Sequence, residues 1–453
     1  MSALISRTPV TQTLTVAGIP VEFLLFASTL LGVALFHAHT LKVALTGLVV
    51  ITSYKLGFAG FPDGEGLAGL AVHLAHEWVL LANLLMLLVG FALLARFFDA
   101  SRVPDMLPRF LPDDWKGGFV LLVLIFVLSS FLDNIAAAII GGTVAASVYR
   151  GRVHIGYLAA IVAASNAGGS GSVVGDTTTT MMWIDGVSPL DVLHAYVAAV
   201  VALLVFGIPA ALQQHRHQPI NADVEPGVRI DWTRVAIVAF ILASAIATNV
   251  FVNLYHRELA DSFPFIGVAV FAAILLSSTL RRPDWGVVPE AAKGAVFLLA
   301  LVLCASMMPV EHLPVASWQT AFGLGFVSSV FDNIPLTKLA LEQGGYDWGF
   351  LAFAVGFGGS MIWFGSTAGI ALTNQFPQAR SVVSWVRHGW HVALGYVAGF
   401  LVMLAVLGWH PHEPHRSTGA APAAVPGVPA PAVSVPAVPG APAAGAAGQP
   451  SAQ

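Results

Sequence analysis

The sequence predicts an all-α membrane protein built as an inverted repeat, with about ten spans, two re-entrant helical hairpins and two broken helices. Three observations lead there. Apolar runs of spanning length follow one another along the chain, two Asp-Asn pairs interrupt runs too short to cross, and paired motifs recur in both halves in the same order.

Composition makes the bilayer the solvent. Of 453 residues, 57% are hydrophobic and only 10% charged, with a mean hydropathy of +0.80, whereas soluble domains carry about 25% charged residues. Successive apolar runs exclude a soluble enzyme on a single anchor. The net charge of −4 leaves no basic surplus, which argues against nucleic acid as a partner. Cys304 is the only cysteine, so there is no intramolecular disulfide. The first run, 19–36, is long for a signal-peptide core, lacks a small-residue cleavage site and reads as a retained span.

Runs bounded by charge or turn residues predict spans near 19–37, 41–58, 76–97, 155–184, 188–212, 233–253, 262–280, 288–308, 349–374 and 389–409. An N-terminal segment (1–18) precedes them. The first repeat covers 19–212, a cytoplasmic linker 213–232 and the second repeat 233–409. The remainder, 410–453, is an Ala/Pro-rich tail predicted to be disordered.

Two stretches behave differently. Residues 117–131 and 135–149 flank Asp133-Asn134, and each arm makes roughly 22 Å of helix against about 30 Å of hydrocarbon. A re-entrant hairpin over 117–149, turning at Asp133-Asn134, fits better, provided its tip lies in protein or a wet cavity. Residues 317–343 repeat the pattern around Asp332-Asn333. Lys116, Arg150 and Arg152 root the first hairpin, and Glu311, His312, Glu342 and Asp347 the second, so the positive-inside rule opens them from opposite faces. The same path puts both chain ends outside and leaves only Arg7, Arg257 and Arg416 among the arginines there.

The repeat is legible in the motifs. Ser129-Ser130-Phe131-Leu132-Asp133-Asn134-Ile135 and Ser328-Ser329-Val330-Phe331-Asp332-Asn333-Ile334 share S-S-x-x-D-N-I. Downstream, Gly168-Gly169-Ser170 with Gly175 matches Gly358-Gly359-Ser360 with Gly365. Each glycine costs about 1 kcal/mol relative to Ala in a helix, which predicts breaks near 166–172 and 356–360. Unwound carbonyls can then coordinate a cation, and half-helix N-termini can hold an anion. Close helix packing on small residues is the alternative explanation.

A carboxylate at membrane depth is a functional candidate by default. Asp133, Asp332 and Asp176 are the candidate monovalent-cation ligands, supported by Asn134, Asn333, Asn166 and Thr177. A carboxylate beside a neutral oxygen suits a hard cation, and a proton competes for the same group. The Asp-Asn pairs also suit helix caps, and Thr177 to Thr180 suit hydrogen bonds to preceding carbonyls. Asp176 has Ser366-Thr367 at the matching place, so the predicted site is asymmetric. Lys338 either neutralises a site acid, draws an anion or snorkels, and Lys55 is equally ambiguous. His73, His76 and Glu77 match no zinc spacing and read as interfacial residues ahead of the third span. With no P-loop and no nucleophile motif, the chain reads as neither an enzyme nor a cofactor carrier, and ion gradients must supply the energy.

The D-N hairpins, the N-x-G-G of Asn166 to Gly169 and the following Gly175-Asp176 resemble the ion transporter superfamily, which includes NhaD-type sodium/proton antiporters, arsenite permeases and citrate or dicarboxylate carriers. The similarity covers most of 19–409, and the tips look most like the NhaD type. Four threonines after Asp176, where relatives often carry Pro and Asn, are a departure. The resemblance implies homodimers, a transport domain moving against a scaffold, and tip acids that matter for exchange. The expected function is sodium or lithium exchange for protons in a bacterial inner membrane. The alternative is an anion carrier for citrate, dicarboxylate or arsenite.

Overall fold

A computed structural model describes residues 14–36, 39–61, 64–220, 229–256, 259 and 262–412. Arg7, Arg257, Arg416, the central part of the predicted linker and most of the predicted tail lie outside the described residues.

A two-residue antiparallel ribbon, Thr15–Val16 with Ile19–Pro20, leads into helices. The first group is α1 (Val21–Leu35), α2 (Thr40–Tyr54) and α3 (Gly66–Ala100). Next come α4 (Trp115–Ser129), α5 (Asn134–Val148), α6 (Ile155–Ser170), α7 (Thr177–Ile184), α8 (Pro189–Leu193) and α9 (Ala195–His217). Then follow α10 (Trp232–Tyr255), α11 (Phe265–Ser277) and α12 (Val288–Ser306). The chain continues through α13 (Trp318–Ser328), α14 (Asn333–Gln343), α15 (Trp348–Gly358), α16 (Thr367–Gln375), α17 (Val382–His388) and α18 (Trp390–Leu407).

Six helical stretches are long and apolar enough to cross a membrane: Thr40–Ala59, Gly66–Ala100, Pro189–His217, Trp232–Val252, Trp285–Ser306 and Trp390–Leu407. Shorter apolar helices are α1, α4, α5, α11 and α15. The polypeptide is therefore an integral, multi-pass α-helical membrane protein.

Local chemistry sets the ends of the central helices. Asp114 caps α4 by accepting from Lys116 N at 2.9 Å, and Asp347 caps α15 by accepting from Phe350 N at 3.4 Å. Between them, α6 and α15 form the core: every residue of α15, and of α6 from Gly156 onward, is buried. The Ala/Gly-rich sequence of α6 lets α4, α5, α9 and α15 approach it closely. Around this core, α3 packs on α10, α11 and α12, while α12 reaches α14.

Two expectations need correction. The helix breaks come later than predicted, at 171–176 and 359–366, because α6 stays helical through Ser170 and α15 through Gly358. Burial outweighs the helix cost of glycine here, and close approach explains the glycines themselves. A Cβ on Gly168 would lie 2.0 Å from Phe126 O, and one on Gly358 2.3 Å from Gly325 O. The second correction concerns His73 and Glu77. They do not precede the third span as an interfacial group; α3 starts at Gly66, carried by the apolar run from Leu67 to Val72, and buries both.

Candidate functional site

The two Asp-Asn motifs adopt one backbone geometry twice. Asp133 (φ −54°, ψ 140°) is the N-cap of α5 and Asp332 (φ −54°, ψ 139°) the N-cap of α14. Each stands just past the Ser-Ser end of the preceding helix, which is fastened to a core helix by the same bond. Ser129 Oγ donates to Ser165 O on α6 at 2.5 Å, and Ser328 Oγ to Val355 O on α15 at 2.7 Å. These bonds hold the Asp-Asn turns beside the two breaks.

The tips are not chemically identical. Asp332 caps its helix by accepting from Ile334 N at 3.0 Å, and it also accepts from Thr367 Oγ1 at 3.3 Å. Asp133 makes no side-chain capping bond. Both carboxylates are half-buried, whereas Asn134 and Asn333 are buried.

Asn166 connects the parts. Its Oδ1 accepts from Asn134 Nδ2 at 3.0 Å, and its own Nδ2 donates to Ser360 Oγ at 2.9 Å and Ser366 Oγ at 3.1 Å. One fully buried amide therefore joins the first tip to both ends of the second break. Ser360 also holds Trp385, whose indole N–H donates to Ser360 O at 3.2 Å.

Asp176 sits at the start of α7. Its Oδ1 accepts from Thr178 N at 3.3 Å, while Oδ2 is buried with no hydrogen-bond partner. That oxygen lies where a side chain on Gly356 would point, 3.2 Å from the Cβ position. In repeat register Gly356 matches Asn166 and Ser366 matches Asp176, so the asymmetry is mutual: Asn166 reaches across to Ser366, and Asp176 reaches across to Gly356. Asp133, Asp176 and Asp332 thus stand at the starts of α5, α7 and α14, and Thr367, next to Ser366 at the second break, donates to Asp332.

The remaining expected residues divide. Gly168 lies in the last turn of α6, ahead of the first break, where Ser130 Oγ and Tyr196 OH donate to its carbonyl at 3.1 and 3.2 Å. Gly169 and Gly359 pack against Gly175 and Gly365, and Ser170 Oγ donates to Ala167 O within its own helix. Thr177 is buried. Thr179 and Thr180 donate to Asp176 O at 2.9 and 2.8 Å and to Ser172 O and Val173 O, as hydroxyls fastening a helix start to the loop before it. Lys338 turns away from the tips. Its ammonium lies 3.0 Å from Glu77 and 2.5 Å from Glu342. Among the described residues no group of three or more His, Cys, Asp or Glu side chains could hold a metal ion.

Sequence reasoning left Ser366, Tyr196, Trp385 and Glu77 outside the site. Ser366 was reachable from the repeat register alone. Tyr196, Trp385 and Glu77 carried no motif, because tertiary packing brings them in.

A multi-pass helical membrane protein with polar groups converging on two interrupted buried helices belongs among transporters rather than enzymes. The chain is a member of the citrate transporter family, whose family model matches residues 17–358, and so of the ion transporter superfamily. It is 27% identical over 419 residues to "Sodium/proton antiporter 1" of Arabidopsis thaliana, covering 81% of this chain and 69% of that protein. It is 28% identical over 363 residues to "Na(+)/H(+) antiporter NhaD" of Alkalimonas amylolytica, covering 68% and 73%. A protein of the same name from Halomonas elongata is 25% identical over 332 residues, covering 63% and 66%. The protein is accordingly a secondary ion transporter.

Proposed function

We propose that the protein is a sodium/proton antiporter of NhaD type, exchanging sodium or lithium for protons at the neighbourhood of Asp133, Asp176 and Asp332. The unpartnered Asp176 Oδ2 carries this reading. A buried carboxylate oxygen without a donor is costly unless a cation or a proton occupies it. Asn134, Asn333 and the interrupted backbone at the buried ends of the broken helices supply neutral oxygens, which suit a hard monovalent cation. Lys338 is engaged by two carboxylates and leaves the acids without a lysine counter-charge.

The same reading includes the architecture. The order α1 to α9 is repeated by α10 to α18, three helices, a helical pair, an interrupted helix, then a short and a long helix. This supports inverted repeats at 19–212 and 233–409, about ten spans, and hairpins at 117–149 and 317–343 entering from opposite faces. A homodimer in a bacterial plasma membrane, with a transport domain moving on a scaffold, completes it. One observation favours a second reading, a carrier of citrate or a related anion: the description of the matching family. Helix N-termini at α5, α7, α14 and α16 offer an anion N–H groups without a basic side chain.

Purified protein in liposomes separates the two. An imposed sodium or lithium gradient is expected to drive a luminal pH change, with no uptake of labelled citrate. Citrate uptake without sodium-driven proton movement would overturn the antiporter reading.

A further inference from the structure

The ion pair between Lys338 and Glu77 joins positions 261 residues apart, from the middle of α14 to the fourth turn of α3. Its side chains are 4% and 11% exposed, whereas pairs such as Arg96–Asp284 and Arg281–Asp231 involve side chains at least 28% exposed. Burying such a pair is poor economy for stability alone, since well-packed apolar residues usually hold two helices as well or better. Buried pairs are best attested where register or switching is at stake. One turn away on the same face of α3, His73 Nε2 meets Ser306 Oγ of α12 at 2.9 Å. That bond fixes α3 to α12, so Glu77 is presented from a braced surface.

We propose that Glu77 is a positioning residue: from α3 it holds the Lys338 ammonium, and through it the arm that carries Asp332, in a contact that breaks and re-forms in each transport cycle. Lys338 stands five residues beyond Asn333, the first residue of α14, or about 7 Å along a rigid helix. A shift of the ammonium therefore displaces the Asp332 turn. Glu342, one turn further along α14 and 34% exposed on its side chain, is the partner that keeps the ammonium paired when Glu77 lets go. The inference rests on the antiporter reading for its assay.

The test is a double-variant cycle in liposomes with Glu77→Gln, Lys338→Gln, both together, and Glu77→Asp. Glu77→Gln leaves the ammonium to Glu342, Lys338→Gln leaves both carboxylates without it, and each single variant is expected to change turnover by about ten-fold, the scale of coupling between two moving elements, with a shift in apparent KM for sodium. The double variant is expected to recover most of that loss, and Glu77→Asp to recover part of it. A merely structural pair predicts lower yield and thermal stability with unchanged turnover and KM per folded molecule, which would overturn the proposal. So would additive losses in the double variant. Where the wild type itself lacks sodium-driven proton movement but takes up citrate, the antiporter reading fails alone, and the same four variants are scored on citrate uptake.

Discussion

Asn166 donates to Ser366 Oγ at 3.1 Å, an amide from the first core helix closing on the first turn of the last half-helix 200 residues later. Because the same amide also serves Ser360 and accepts from Asn134, removing it leaves several buried polar groups without partners at once. Such an orphaned group costs about 1 to 3 kcal/mol. Asn166→Ala is expected to lower the melting temperature of the detergent-solubilised protein and to impair transport strongly. Asn166→Ala with wild-type melting and transport would show that this junction is dispensable.

The fold was largely readable because membrane spans announce themselves by composition, and because the Asp-Asn and Gly-Gly-Ser motifs recur in order. Both Asp-Asn turns fall where the arm lengths put them, between α4 and α5 and between α13 and α14. The glycine breaks were misplaced by several residues. Helix propensity records the cost of Gly168 and Gly358 but not the backbone oxygens of Phe126 and Gly325 pressed against them. Lys338 was visible as an intramembrane charge, yet its partner Glu77 read as interfacial, since nothing local distinguishes a carboxylate that will be buried by a helix 261 residues away.

That close approach makes its own prediction. Gly168→Ala and Gly358→Ala each push a methyl into a backbone carbonyl that no side-chain rotation can move. Overpacking of this kind costs about 1 to 3 kcal/mol, so both variants are expected to give less monodisperse protein and earlier melting. Gly323→Ala, in α13 with open space at its Cβ, serves as the control and is expected to be neutral or slightly stabilising. Equal behaviour of all three would refute the packing argument.

A pH dependence of stability is expected from the connection before α6. His154 caps that helix by accepting from Gly156 N at 3.2 Å through Nδ1, which requires a neutral imidazole. Burial first, then the nearby rings of His388 and His217, hold its pKa below the ordinary 6.5. The unfolded chain therefore binds this proton more readily than the folded one. Stability is unaffected well above pH 6.5 and falls as the pH drops below it toward the lower folded value. Melting curves between pH 5 and 8 should show this slope in the wild type and a shallower one in His154→Gln. Parallel slopes would remove His154 from the account.

The carboxylates give the decisive prediction. Asn preserves the size of Asp and its ability to cap a helix, but carries neither the charge nor the exchangeable proton. Asp133→Asn, Asp176→Asn and Asp332→Asn are therefore expected to leave folded protein in the membrane while abolishing or severely reducing sodium-driven proton movement. The three need not respond alike. Asp332 accepts from Ile334 N through Oδ1 and from Thr367 Oγ1 through Oδ2, so in Asn the amide oxygen can keep the cap while the NH2 group has to donate to the Thr367 hydroxyl instead. Asp176 has one oxygen on Thr178 N and the other unpartnered, so replacing that second oxygen with an amide places a donor where a cation would sit. The Asp176 variant should thus lose sodium-dependent stabilisation most completely, measured as the melting shift on adding sodium. A purely structural role predicts near-normal exchange in all three variants. An anion carrier predicts that neutralising an acid leaves citrate uptake intact or improves it, by removing a like charge from the site. Measuring sodium-driven pH change, sodium-dependent melting and citrate uptake on the same preparations separates these outcomes, and preserved exchange in all three variants would reject the antiporter mechanism at these acids.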